Sequence, residues 1–146
     1  YEVVGRYEEP FRQCGFHPGH VTISLLATLP LLPASGLALL AKLSGGVLTL
    51  ALVEEGNLRL ARTLPLGDVS VQEVLDQIFP TLAYSEDHLG RRPDQLWLCG
   101  FGMGSDAMAE HYASELALPV SVVRARSGHR LEQHNAGIYG YMAGVQ

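Results

Sequence analysis

The stretch LWLCGFGMGSDAMAEHY, residues 96–112, sets glycines at alternate positions, Gly100, Gly102 and Gly104, between an apolar run and a helical pattern. Glycines at the end of a strand let backbone N–H groups approach a phosphate, a ribose or a base, and the free N–H groups opening the next helix favour negative charge on the same side. Ser105 or Asp106 is expected to cap that helix. The simpler reading is that the glycines permit a sharp strand-to-helix turn, with residual nucleotide contact as the alternative. G-x-G-x-G without a further glycine, and without an acidic residue opening a second strand at the right distance, does not fit a dinucleotide fingerprint.

Other residues that could do chemistry are weaker. Glu110 and His111 are adjacent on a helix, so their side chains point about 100° apart and cannot easily share a metal ion. Residues 124–134, RARSGHRLEQH, gather three arginines and two histidines but read as a solvated loop. No G-x-S-x-G elbow supports a nucleophilic triad. Cys14 and Cys99 lie in apolar settings without C-x-x-C spacing, which predicts reduced core thiols of a cytosolic protein and no zinc site. The net charge is −5, with ten Lys and Arg mostly scattered, so nucleic acid is not an expected partner.

The elements that must position these residues follow from periodicity. Val4, Tyr7, Phe11 and Cys14 recur at helical spacing, with Gly15 placed as a C-cap. Val21–Ala41 is uncharged over a membrane-spanning length, but Pro30, Pro33 and Gly36 break it, so it reads as two buried elements joined by a turn. The first, His20–Leu26, is read as a strand from its β-branched residues, and the second, Leu37–Leu43, as a buried strand. Ser44–Gly46 is a tight turn. Val47–Val53 alternates, with Leu48, Leu50 and Leu52 on one face, and Leu58, Leu60 and Leu64 continue the pattern after EEGN, predicting a hairpin. Ser70 and Glu73 form a capping box for an amphipathic helix whose stripe is Val71, Val74, Leu75, Ile78, Phe79 and Leu82, bent by Pro80 and ended by Gly90. A strand at Leu96–Cys99, a helix at Ser105–Leu116, a strand at Val120–Val123 and a helix from about Asn135 complete the chain. From residue 37 the order is β-β-β-α-β-α-β-α, which predicts a mixed sheet with helices on its faces.

That order resembles the α/β ribonuclease-H-like subdomain duplicated in the actin and sugar-kinase superfamily. GGVLTLALVEEGNLRLARTLPL, IFPTLAYSEDHLGRRPDQLWLCGFG and LALPVSVV resemble the C-terminal half of PilM-type proteins, the actin-fold components of type IV pilus assembly, with the cytoplasmic part of the type II secretion protein GspL as a relative. GFHPGHVTISLLAT is similar to the segment of that family that leads toward the second domain. The resemblance implies residues 1–35 as a helix and strand leading from a missing N-terminal domain, and residues 36–146 as the actin-fold subdomain. Because the chain starts at Tyr1 without an initiator Met or a leader, it is expected to be a piece of a longer one.

The resemblance also assigns the turns. Active members carry Asp-x-Gly in the first hairpin of this subdomain, where the carboxylate holds magnesium and the glycines admit phosphate. Here Lys42 stands at the aspartate and Ser44 near the first glycine, followed by Gly45 and Gly46. A lysine can attract phosphate as a point charge but cannot ligate magnesium. Gly100, Gly102, Gly104 and Ser105 correspond to the adenosine loop. The implied function is a non-catalytic assembly scaffold without catalytic residues, metal or required cofactor, although ATP binding stays open. It would be cytoplasmic, peripheral to the bacterial inner membrane, and bind other pilus or secretion proteins, among them a short cytoplasmic tail of a membrane protein. The alternative is a nucleotide-dependent enzyme, an ATPase or sugar-kinase relative, whose catalytic half lies before Tyr1. A stand-alone nuclease would need carboxylates clustered at strand ends, which these strands do not offer.

Overall fold

A computed structural model describes residues 2–33, 35–67 and 69–144. Five strands form one sheet in the order β3-β2-β1-β4-β5: β1 Leu37–Ser44, β2 Val47–Glu54, β3 Asn57–Pro65, β4 Gln95–Cys99 and β5 Val120–Val122. The β1-β2 and β2-β3 pairs are antiparallel hairpins, while β1-β4 and β4-β5 are parallel. With α3 (Val71–Leu89), α4 (Ser105–Leu116) and α5 (Ala136–Gly144), the order from residue 37 is the expected β-β-β-α-β-α-β-α.

The run LALLAKL is apolar throughout because β1 is central and covered on both faces. Leu37, Leu39 and Ala41 pack with α3 and α4 through Val74, Leu75, Ile78, Tyr112 and Leu116. Leu40 faces the other way, into a second core with Cys99, Val123, Leu131 and Ala136, which also takes in Leu25 and Leu32. The Ser70 hydroxyl caps α3 by accepting from the Glu73 N–H at 3.1 Å, and Gly90 ends it at φ 70°. The Glu73 carboxylate accepts from the Gly67 N–H.

Several sequence expectations are corrected. His20–Leu26 is not a strand: Val21 to Ile23 are irregular, and α2 (Ser24–Thr28) follows, then a 3-10 turn at Leu29–Leu31. Leu25, Ala27 and Thr28 are buried there, with α2 packed against α5, so tertiary contact overrides the β-branched preference. Phe79 leaves the stripe and is 47% exposed, since it lies at the edge of the arc that Ile78 and Leu82 bury. Leu58 pairs with Val53 while Leu60 pairs with Leu52, so a bulge at Arg59 turns Leu58 to the opposite face from Leu60. Cys14 is exposed, because α1 (Glu2–Gln13) buries none of its residues; Cys99 is the core thiol. Gly15 does close α1, with the Phe16 N–H donating to the Phe11 carbonyl and φ 82° at the glycine. Tyr1 lies outside the described residues. Among those residues no helix is long and apolar enough to cross a membrane.

Candidate functional site

β1 and β4 run parallel side by side, so their C-terminal ends deliver the two glycine turns to one end of the sheet. Ser44, Gly45 and Gly46 close the β1-β2 hairpin, with φ 57° at Gly45 and 74° at Gly46. Gly100 and Gly102 follow β4 at φ 84° and 72°, and residues Gly102–Gly104 form a 3-10 turn leading into α4. The crevice beyond the carboxyl ends of parallel strands, where neighbouring connections diverge, is where open α/β sheets bind ligands.

The two turns meet at Gly100. A Cβ there would stand 2.2 Å from the Leu43 carbonyl oxygen at the end of β1 and 3.4 Å from the Cα of Gln133. The Gly45 N–H donates to the Gln133 side-chain oxygen at 3.1 Å. Residues 43–45, 100 and 133 therefore share one junction, and Gln133 is a member of it that the sequence did not reveal. Gly100 is thus required by the fold itself. Gly104 is not, having ordinary φ and nothing within 4 Å of a Cβ.

Neither Ser105 nor Asp106 caps α4. Gly104 is the N-cap residue and makes no side-chain bond, while Ser105 is buried. Asp106 is drawn away by two arginines: Arg124 donates to it at 3.1 Å, and Arg130 pairs with its other oxygen. Arg130 also donates to the Met103 carbonyl, so the 124–130 loop, exposed as expected except at Ala125, is tied to the glycine turn. Glu110 and His111 are exposed, as expected.

Lys42 pairs in register with Cys99 and is only 5% exposed. Burial lowers its pKa from the ordinary 10.5, with the Cys99 thiol acting the other way. Burial raises Cys99 from 9.0 to about 11, opposed by Lys42, and raises Tyr112 from 10.0 to about 12. The signs separate these groups. Lys42 titrates lower when folded, so its destabilising effect is full at neutral pH and fades as pH rises toward 10.5. Cys99 titrates higher when folded, so its contribution holds below pH 9.0 and is lost by about 11, worth about 3 kcal/mol. Tyr112 repeats that loss between 10.0 and about 12. Lys42→Met is therefore expected to raise stability near neutral pH by about 1–3 kcal/mol, since it removes a buried charge. That gain should shrink toward pH 10.5. Urea midpoints at neutral and alkaline pH check both statements; a variant less stable at neutral pH would contradict them.

Among the described residues no group of three or more His, Cys, Asp and Glu could hold a metal ion. A cavity of about 690 Å³ lies elsewhere, between α1 and α5, lined by Tyr7, Phe11, Phe16, His20, Ile138 and Tyr141.

Comparison with solved structures places this arrangement. A PilM-PilN type IV pilus biogenesis complex is similar over 99% of this chain and 58% of that chain, with TM-score 0.70 and 15% identity. A protein of unknown function with an actin-like ATPase fold from Bacteroides thetaiotaomicron matches 82% of this chain and 43% of its own (TM-score 0.51, 13% identity). The fold is that of the actin-like ATPases. The ethanolamine utilization protein EutJ from Carboxydothermus hydrogenoformans has it too, with TM-score 0.53, 15% identity and coverage of 81% of this chain and 53% of that one. This chain thus spans about half the length of the structures it matches, from 43% to 58%. No family model matches the sequence, and no curated protein does. The mixed sheet and its ribonuclease-H-like order agree with that fold, and the PilM-like resemblance stands as a likeness of fold over essentially the whole chain.

Proposed function

We propose that this chain is a non-catalytic actin-fold assembly module of a type IV pilus or type II secretion platform. The observation that carries this reading is the match of 99% of the chain to the PilM-PilN structure. Lys42 in the hairpin supports it, because an ammonium cannot hold the metal that phosphoryl transfer requires. In this reading residues 36–146 are the subdomain and residues 1–35 lead from a further domain. The module sits on the cytoplasmic face of the inner membrane and binds other assembly proteins, including a short cytoplasmic tail of a membrane protein. An assembly module must leave apolar surface uncovered, and Tyr7, Phe11, Phe16, Ile138 and Tyr141 do so along the α1-α5 groove.

Co-expression with the inner-membrane pilus or secretion proteins of its own cell, followed by detergent purification, tests the reading. It predicts that one of them co-purifies in fixed stoichiometry and that Tyr141→Asp weakens the complex. Purification alone under all conditions would contradict it. The second reading, a nucleotide-dependent enzyme, is favoured by the actin-like ATPase fold and by the surviving turn around Gly100, Gly102, Gly104 and Ser105.

A further inference from the structure

α1 is an amphipathic helix that its own chain leaves uncovered. Tyr7 and Phe11 fall at helical spacing after Val4, yet α1 buries none of its residues. Among the described residues, its hydrogen bonds and ion pairs stay within the helix and the turn that ends it. A helix of 12 residues is marginal by itself in water, so its apolar side must be covered for it to persist. That side meets α5 across the groove of about 690 Å³, whose walls include Tyr7, Phe11, Phe16, Ile138 and Tyr141. These five and Met142, one turn on from Ile138, are between 47% and 72% exposed. At about 200 Å² for each whole side chain they present about 700 Å² together. Val4 and Val21, also exposed, extend the patch toward the ~800 Å² per partner of a standard protein interface. The largest apolar patch on an ordinary monomer is about 300–600 Å².

The charges on this face suit a second copy of the chain. Glu8 is the carboxylate on the groove wall, and Arg12 holds it at 2.6 Å. Arg6 is matched by Glu2 at 2.8 Å. Glu9 accepts from the Gln13 amide and lies about 200° round the helix from Tyr7. Two copies can therefore face each other without opposing like charges, whereas a charged partner finds no complementary charge to select it. The shape agrees. The α1 ridge, about 18 Å long, stands beside a groove, and a two-fold interface needs both on each copy because the same patch must serve as projection and recess. We propose that this face is a homodimer interface, in which α1 of one copy seats Tyr7 and Phe11 in the α1-α5 groove of the second, and the reverse. Such a contact closes at two copies. It takes the face that the proposed function leaves open to assembly proteins, which then meet a dimer. It is tested on the chain alone, so its failure leaves that reading standing.

Sedimentation velocity of the 146-residue chain over about 1–200 μM tests the pairing. A monomer–dimer equilibrium with Kd of about 10 μM or tighter is expected, with nothing larger. Tyr7→Asp on α1 and Ile138→Asp on α5 should each raise that Kd by about tenfold or more, because each carries an unpaired carboxylate into the contact. Phe79→Asp, on α3 across the sheet, should leave it unchanged. Since α1 buries nothing in its own chain, Tyr7→Asp should keep the main thermal transition of the monomer, which separates lost pairing from lost folding. Cys14, just past α1, is exposed while Cys99 is buried, so a nitroxide placed on Cys14 reports where the copies meet. Pulsed EPR should give one intermolecular distance under about 40 Å, two helix lengths plus the label arms, lost in Tyr7→Asp. A dimer that both aspartate variants leave intact, or a Cys14 label without intermolecular coupling, overturns the proposal. So does a chain that stays monomeric at about 200 μM, which leaves the face to a further domain of the same polypeptide or to an assembly protein.

Discussion

Gly140→Ala is expected to lower stability by about 3 kcal/mol or more, although alanine is the better helix former by about 1 kcal/mol. Gly140 lies inside α5 with ordinary helical backbone, so propensity alone would make the change stabilising. Packing decides the sign. A Cβ at that position would stand 1.9 Å from the Ala27 carbonyl oxygen and 2.8 Å from the Cα of Thr28, both backbone atoms of α2. Neither can rotate away, so α5 must lift from α2 and expose the second core around Leu25, Leu40 and Ala136. For a domain of this size the loss corresponds to roughly 10 °C in Tm. Thermal unfolding followed by circular dichroism measures it. Gly5→Ala is the control: Gly5 sits in α1 with nothing within 4 Å of a Cβ, so the same substitution there should leave the main transition in place. A Gly140→Ala variant as stable as the parent would mean that α5 does not dock on α2 as described.

Gly100→Ala comes next and acts on the site itself. Two penalties add. At φ 84° an alanine pays about 1–2 kcal/mol for the left-handed backbone, and its Cβ would stand 2.2 Å from the Leu43 carbonyl oxygen. Relief requires the turn after β4 to separate from the end of β1, which also pulls on Gln133 at 3.4 Å. A total of about 4 kcal/mol is expected, of the size that leaves an average domain partly unfolded. Gly102→Ala separates the two causes. Its φ is 72° but nothing lies within 4 Å, so it should show only the backbone penalty, about 1 kcal/mol. Urea midpoints for the pair should differ widely; equal midpoints would remove the contact between the turns from the account.

These glycines also mark how far the sequence could be read. The β2-β3 hairpin and α3 were legible because burial imposes a period, as in Leu48, Leu50 and Leu52 or Val74, Ile78 and Leu82, and β1 because a strand covered on both faces is apolar throughout. The hairpin turn and the cap at Ser70 were legible because each is decided by neighbours in sequence. What failed was decided at long range. Val21, Thr22 and Ile23 carry strand preference, but the adjoining Ser24–Thr28 forms a helix pressed onto α5. A signal for that docking was present and unread: Gly137, Gly140 and Gly144 form a stripe along α5, facing Ser24, Ala27 and Pro30. At the site, Lys42 was singled out only through the resemblance, as the residue at its aspartate position. The Gln133 contact, 88 residues from Gly45, had no local mark at all. Asp106 looked like a cap because only its position was visible, not the two arginines that hold it.

Phosphate release by the purified protein, in the longest form that can be expressed, supplied with ATP and magnesium, tests most directly the proposed non-catalytic role. If Lys42 stands at the aspartate position, as the resemblance implies, release should not exceed the protein-free background, and adding EDTA should change nothing. Sustained release that depends on magnesium and stops with EDTA would contradict the account.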